Sequence, residues 1–379
     1  MVARAGLPDR VRDHVKSRDV SGLAPWWLTR VTVAVAALAG LWMVQAHRSV
    51  TGYLHAWDQW DARLLREVAQ FGYRGYRTHT GDTHLEAFFP GQPAVVHAVH
   101  FVVPSWIAAG LLVSLVAGAF ACVALSRLAD LEGAGTGRLA VVALVLSPYA
   151  VFLAAGYSEA LFLAFALPCW LAARRGRWLA AGGLGALAAT VRITGVFLGA
   201  ALIVQWLVDN RGRGRARDGL ALLGPWAATA GYFGYLHGVT GDWLAWTHAE
   251  RDGWGRQLTA PWTAFRTTWH AAFAAQPSDY AWSFRAEILA VLIGVVLTVT
   301  LIWMRRWGES VYVGGQVVAL ATSAYYLSVA RATLLWWPLW VLLARAAQRW
   351  RPVGLAYLAA APALMIVAVV AFTQGHWVG

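Results

Sequence analysis

Cysteine is nearly absent. Cys122 and Cys169 are the only two, and both lie inside apolar runs, so they read as small core residues rather than as a disulfide framework or a zinc site. Lysine is scarcer still: Lys16 is alone among 31 basic residues, the rest being arginine. Charge of either sign is thin. Asp, Glu, Lys and Arg make up 13% of the 379 residues, about half the roughly 25% of a soluble domain. No internal repeat is visible, and no polar stretch is long enough to form a separate soluble domain. With 59% hydrophobic residues and a mean hydropathy of +0.52, this composition excludes a soluble enzyme and a single-anchor protein with a globular head.

What is present is a series of apolar runs from residue 29 to residue 373. They predict an all-α polytopic membrane protein of about eleven spans, roughly nine to twelve. The spans fall at 29–47, 105–126, 138–155, 158–173, 178–190, 193–208, 220–239, 286–304, 311–329, 332–347 and 353–373. Several are short for ~30 Å of hydrocarbon at 1.5 Å per residue. The pair 178–190 and 193–208 fits two helices, a re-entrant hairpin or one kinked element. The first run is longer than a signal-peptide core and lacks a good cleavage site, so it reads as a retained span. Residues 1–28 then form a basic cytoplasmic arm, and 29–379 one membrane domain.

Charge placement sets the expected orientation. The N-terminal segment and the loops near 127–138, 174–177, 209–218, 305–309 and 345–351 hold 20 basic and 8 acidic residues. The two long loops, 47–103 and 240–285, hold 9 of each. The excess on one face predicts that face to be cytoplasmic, with the long loops and the C-terminus outside, in the cell membrane. The basic residues sit in short loop clusters such as 211–217, not along a helix that could track phosphates. They set topology and meet membrane lipids, and nucleic acid is not an expected partner.

In the first outer loop, Trp57, Trp60, Leu64, Val68 and Phe71 recur at helical spacing, with Gly72 as a stop. This predicts a short interfacial helix. Asp58 and Asp61 lie near its start, as capping acids or as functional carboxylates. His79, Asp82, His84 and Glu86 follow, a set that could ligate a metal but at no recognised spacing. Pro90 and Pro93 then fix the re-entry of the chain.

Trp60-Asp61, Val68-Ala69-Gln70-Phe71-Gly72-Tyr73 and Phe88-Phe89-Pro90 through Pro93 resemble the first luminal loop of the PIG-V family. These GPI-mannosyltransferase-like proteins, with bacterial relatives, belong to the GT-C class of membrane glycosyltransferases. Three later segments agree in order: Tyr157-Ser158-Glu159-Ala160-Leu161-Phe162, Thr190-Val191-Arg192-Ile193-Thr194-Gly195, and Ser328-Val329-Ala330-Arg331 before Trp337-Pro338-Leu339. The sequence departs at Leu64-Leu65, where the family carries an aromatic pair, and at Gly91-Gln92, where it carries Leu-Tyr.

The resemblance implies a GT-C-like bundle. It implies transfer of a sugar, usually mannose, from a polyprenyl phosphate to an acceptor hydroxyl on the outer face, with inversion and without a metal ion or other cofactor. The acceptor could be a glycan, a glycolipid or a protein. Asp61 matches the family's loop acid and is the expected general base, with Asp58 second. Developing phosphate charge calls for arginines, and Arg192, Arg331 and Arg256 are the candidates. Arg192 could instead pair with Glu159 simply to hold the bundle together. Trp60, Glu86, Glu159, His248 and Trp254 are candidate substrate contacts. A transporter or lipid flippase, or a non-catalytic protein of the same fold, would also carry intramembrane charges.

Overall fold

The computed structural model describes residues 9–44, 49–75, 84–210, 214–274 and 280–379, and every regular element among them is helical. The chain runs α1 (Asp9–Val44), α2 (Val50–His55), α3 (Asp61–Gly75), α4 (Gly91–His100), α5 (Trp106–Ala129) and α6 (Thr136–Val145). It continues through α7 (Glu159–Arg174), α8 (Trp178–Val191), α9 (Gly195–Asn210), α10 (Ala216–Ala221), α11 (Gly224–Thr240) and α12 (Ala245–Trp254). The last third holds α13 (Pro261–Trp269), α14 (Ala281–Trp303), α15 (Trp307–Ala321), α16 (Val329–Ala332), α17 (Trp337–Arg349) and α18 (Arg351–Thr373).

Each expected span contains a helix. Among the described residues four are long and apolar enough to cross a membrane: Leu23–Met43, Trp106–Glu132, Ala281–Trp303 and Arg351–Thr373. The others are shorter, and several expected spans are broken. The run 138–155 leaves the helix after Val145 and resumes as a 3-10 turn at Ala150–Leu153, because Pro148 disfavours helical backbone at Ser147. The run 311–329 stops at Ala321. The pair 178–190 and 193–208 is two helices, α8 and α9, parted by Arg192 in extended backbone.

Helices α5, α7 and α8 pack in sequence, α9 lies against α15, and α1 lies against α5, α6 and α18. Close approach sustains such packing where lipid tails are as apolar as the side chains. Gly118 shows how close: a Cβ there would sit 2.1 Å from the ring of the fully buried Trp26.

The loops sort into the two sets that the charge count separates. At one end Glu132 receives Arg174 and Arg306, each at 3.3 Å, and Arg345 at 3.4 Å. Thr136 also donates to Gln348 there at 3.0 Å. At the other end the Tyr232 hydroxyl donates to the Glu86 and Phe88 carbonyls at 2.9 and 2.8 Å. This ties α11 to the first long loop, and α12 of the second loop packs on residues 85–87. Arg30, counted with the N-terminal charges, is instead buried inside the bundle over the Trp26 ring, 4.2 Å from its centroid.

The interfacial helix of the first loop differs from expectation. It starts at Asp61, after Trp60 takes a left-handed φ of 52°, so Trp57 lies outside it. The chain turns again at Gly72, with φ 64°. The buried face is Ala62, Leu65, Val68 and Ala69, packed toward α4 and α5, while Trp60 and Phe71 are exposed. The face rotates because Asp61, Leu65 and Val68 share it, and Asp61 is drawn inward by an arginine.

Candidate functional site

That arginine is Arg331, held by an unusual turn. Ser328 adopts φ 62° and opens the four-residue helix α16. The carboxylate of Glu287, buried on α14, accepts from the backbone N–H groups of Ser328, Val329 and Ala330 at 2.9, 2.7 and 3.1 Å. Charge-assisted bonds to three successive N–H groups fix the turn, and with it Arg331. Replacing Glu287 by Ala leaves three buried donors unpaired. It is expected to cost roughly 1–3 kcal/mol or more, read as a lower unfolding midpoint in detergent.

Arg331 Nη1 donates to Asp61 Oδ2 at 2.7 Å, and its Nε lies 3.2 Å from Glu159 Oε1. Its guanidinium stands 5.3 Å from the ring centroids of Phe152 and Tyr157. Arg192, where α8 gives way to α9, donates through Nη1 to Ser158 Oγ and to Glu159 Oε1, both at 2.7 Å. The fully buried Glu159 therefore bridges two arginines. Three buried atoms at the site make no hydrogen bond: Arg192 Nε, Arg331 Nε and Glu159 Oε2. Such orphan groups are costly in a dry interior and suit a polar ligand.

These side chains border a polar cleft of about 620 Å³ whose lining includes Asp61, Ser158, Arg192 and Arg331, with Phe88, Phe89 and Trp254 on its aromatic side. Glu250 and Arg256 complete it, 3.6 Å apart. Burial pushes the Glu250 carboxyl above the usual carboxylate range, with Arg256 opposing. Beside the cleft runs a groove of about 1220 Å³, lined by Ile193, Phe197, Trp246, Leu258, Leu320 and Leu335 among others. Arg192, Ile193, Glu250, Arg256 and Ser328 border both spaces. A charged chamber and an apolar channel thus share one wall.

The structure brings Asp61, Arg192, Arg331, Arg256 and Trp254 to the cleft, with Glu159 bonded behind them. It does not bring the others. Asp58 faces a second cavity near Trp106, where Arg66 Nε donates to both its oxygens at 2.9 and 3.0 Å. His248 pairs with Asp242 at 2.7 Å in an exposed position outside the cleft. Trp60 meets the Trp377 ring at 5.3 Å, and Glu86 is buried in the 85–87 turn. His79 and Asp82 lie outside the described residues, and among those described no cluster of three or more His, Cys, Asp or Glu could hold a metal.

The sequence departures also find a place. A Cβ at Gly91 would lie 2.8 Å from the Thr190 carbonyl oxygen, so glycine lets α4 start against the end of α8, next to Arg192. Leu65 lines the cleft. Ser158, Ser328 and Glu287 are not among the site candidates that the sequence offers. An acid inside the apolar run of α14 is the signal that could have found Glu287.

Comparison with known proteins adds an independent observation. The chain is similar in sequence to a mannosyltransferase. It is 35% identical over 193 residues to GPI alpha-1,6-mannosyltransferase 2 of Mus musculus, covering 48% of this chain and 36% of the relative. The proteins of the same name from Rattus norvegicus and Cricetulus griseus are 35% identical over 180 residues and 37% identical over 162. The matches cover 44% and 39% of this chain, and 34% and 31% of those proteins. The matched segments thus span about a third of each relative's length. No protein-family profile matches the chain. Among solved structures, ArnT from Cupriavidus metallidurans, bound to undecaprenyl phosphate, aligns with a TM-score of 0.47 at 15% identity, covering 92% of this chain and 75% of that one.

Proposed function

We propose that this protein is a membrane glycosyltransferase that moves a sugar, mannose by its relatives' name, from a polyprenyl phosphate to an acceptor hydroxyl on the outer face of the cell membrane. One observation carries the reading: a cleft lined by two carboxylates and three arginines shares one wall with an apolar groove. A lipid-linked sugar has the same two parts, an anionic head and a long apolar tail. Sequence similarity to mannosyltransferases supports the reaction class, and the segregation of loop charge supports an outward-facing cleft with a cytoplasmic N-terminus.

In this mechanism the acceptor oxygen attacks the anomeric carbon as the bond to the donor phosphate breaks, inverting the centre through an oxocarbenium-like transition state. The acceptor proton passes to Asp61, one of whose oxygens Arg331 holds. General-base help of this kind is worth about 10²–10⁴ in rate. The leaving polyprenyl phosphate keeps the bonding electron pair, and its growing charge is met by Arg192 and Arg256 at the groove wall, with Arg331 behind. Three guanidinium groups serve where a nucleotide-sugar enzyme would use a divalent cation, so transfer proceeds without metal. Trp254 stacks against the sugar, and Glu159 holds both deep arginines in place.

The donor class is tested by photo-crosslinking with a diazirine-bearing polyprenyl phosphate. Label is expected on groove residues such as Phe197 and Leu320, displaced by polyprenyl-phosphate-mannose and not by GDP-mannose. Displacement by the nucleotide sugar instead would refute the lipid-donor reading.

A further inference from the structure

Three arginines and three carboxylates meet at this site: Arg192, Arg256 and Arg331 against Asp61, Glu159 and Glu250. Formally they cancel. A phosphodiester donor brings one more negative charge into a partly dry chamber, where uncompensated charge is costly. Something in the site must yield.

Glu159 cannot yield easily, being fully buried and bound to two arginines at 2.7 and 3.2 Å. Asp61 is fixed by Arg331 at 2.7 Å. The pair Glu250–Arg256 differs on each count. Its separation, 3.6 Å, is too long for a hydrogen bond. Arg256 has the most accessible side chain of the three arginines. Its backbone is nonetheless anchored, since the Arg256 N–H donates to the Glu250 carbonyl at 3.1 Å after Gly255 ends α12 in the left-handed region. The guanidinium can swing while its base stays put. Both residues border the cleft and the apolar groove, the point that a lipid phosphate must pass.

We propose that Glu250 is a donor-affinity residue: in the empty site it holds Arg256, and when the donor enters it surrenders Arg256 to the phosphate and takes up a proton. This rests on the reading of the cleft as a polyprenyl-phosphate-sugar site. The groups around Glu250 favour the exchange. Burial and the Asp61 carboxylate disfavour its charged form, while Arg256, Arg192 and Arg331 favour it. Once Arg256 turns to the phosphate, the largest of those supports is gone. On the elements packed against α12, Glu86 lies in the 85–87 turn and His237 is stacked on Trp243. His248, on α12 itself, is taken by Asp242. The sign follows. At low pH Glu250 is neutral and Arg256 is free for the donor, whereas at higher pH the carboxylate competes and affinity falls.

The test uses the full-length protein in nanodiscs and a short-chain polyprenyl-phosphate-mannose, whose phosphodiester charge is constant between pH 5 and 9, so that any pH dependence belongs to the protein. Wild-type affinity is expected to weaken as pH rises, and calorimetry in buffers of different ionisation enthalpy should show proton uptake on binding. Glu250→Gln should bind about five- to tenfold more tightly than wild type at pH 8, the size of one ion-pair coupling, with a flat pH profile. Unchanged or weaker binding by Glu250→Gln would overturn the proposal, weaker binding marking Glu250 as a direct substrate contact. Should that variant fail to fold, absence of proton uptake by wild type would overturn it equally. If neither protein binds the probe at any pH, it is the donor reading of the cleft that fails.

Discussion

Asp61→Asn is expected to lower transfer by about 10²–10⁴-fold, the usual worth of a positioned general base, while leaving donor affinity within a few-fold of wild type. The asparagine oxygen can still accept from Arg331 Nη1, now at 2.7 Å from Asp61 Oδ2, so the network around Glu159 and Arg192 should persist. What is lost is the capacity to take the acceptor's proton. Single-turnover measurement with bound donor separates the two effects: the chemical step should slow and the binding constant should hold. Parallel loss of affinity and rate would instead mark Asp61 as a structural anchor. Asp58→Asn provides the control. That carboxylate is bonded to Arg66 beside another cavity, so the change should leave the chemical step within a few-fold of wild type.

Arg331→Met should have the largest effect on folding. Asp61 and the fully buried Glu159 both lean on this guanidinium. Removing one member of a buried ion pair typically costs about 3–5 kcal/mol, because the partner's charge is left without compensation. The unfolding midpoint in detergent should drop accordingly, and activity should vanish with it. Adding Asp61→Asn to Arg331→Met removes one of the orphaned charges, so the double variant should be more stable than Arg331→Met alone. If the two losses simply add, the residues are not coupled in the way their 2.7 Å contact implies.

Much of this architecture was legible in the sequence because bilayer physics writes it in large letters. Apolar runs gave the helices, and loop charge gave the two ends that Glu132 and Tyr232 now tie together. Intramembrane charge pointed to Arg192 and Arg331, and Arg192 does pair with Glu159. What escaped is three-dimensional. The turn at Trp60 sets Asp61 toward the cleft while Asp58 faces another cavity, and spacing alone treats two acids one turn apart as equals. Glu287 shows in the sequence only as an acid within an apolar run, whereas in the fold its three backbone bonds shape the turn that carries Arg331. The contact between His248 and Asp242 is likewise invisible to spacing. Glu250 belongs to a loop rich in charge and aromatics, and only the fold shows which side of α12 meets the groove.

The most direct measurement is sugar transfer itself. Purified protein is incubated with radiolabelled polyprenyl-phosphate-mannose and a membrane lipid extract as acceptor source, with and without EDTA, beside Asp61→Asn. The account predicts that wild type moves label into a new product at the same rate in EDTA, and that the variant binds donor without moving it. Transfer that stops in EDTA, or that continues undiminished in Asp61→Asn, would contradict the account.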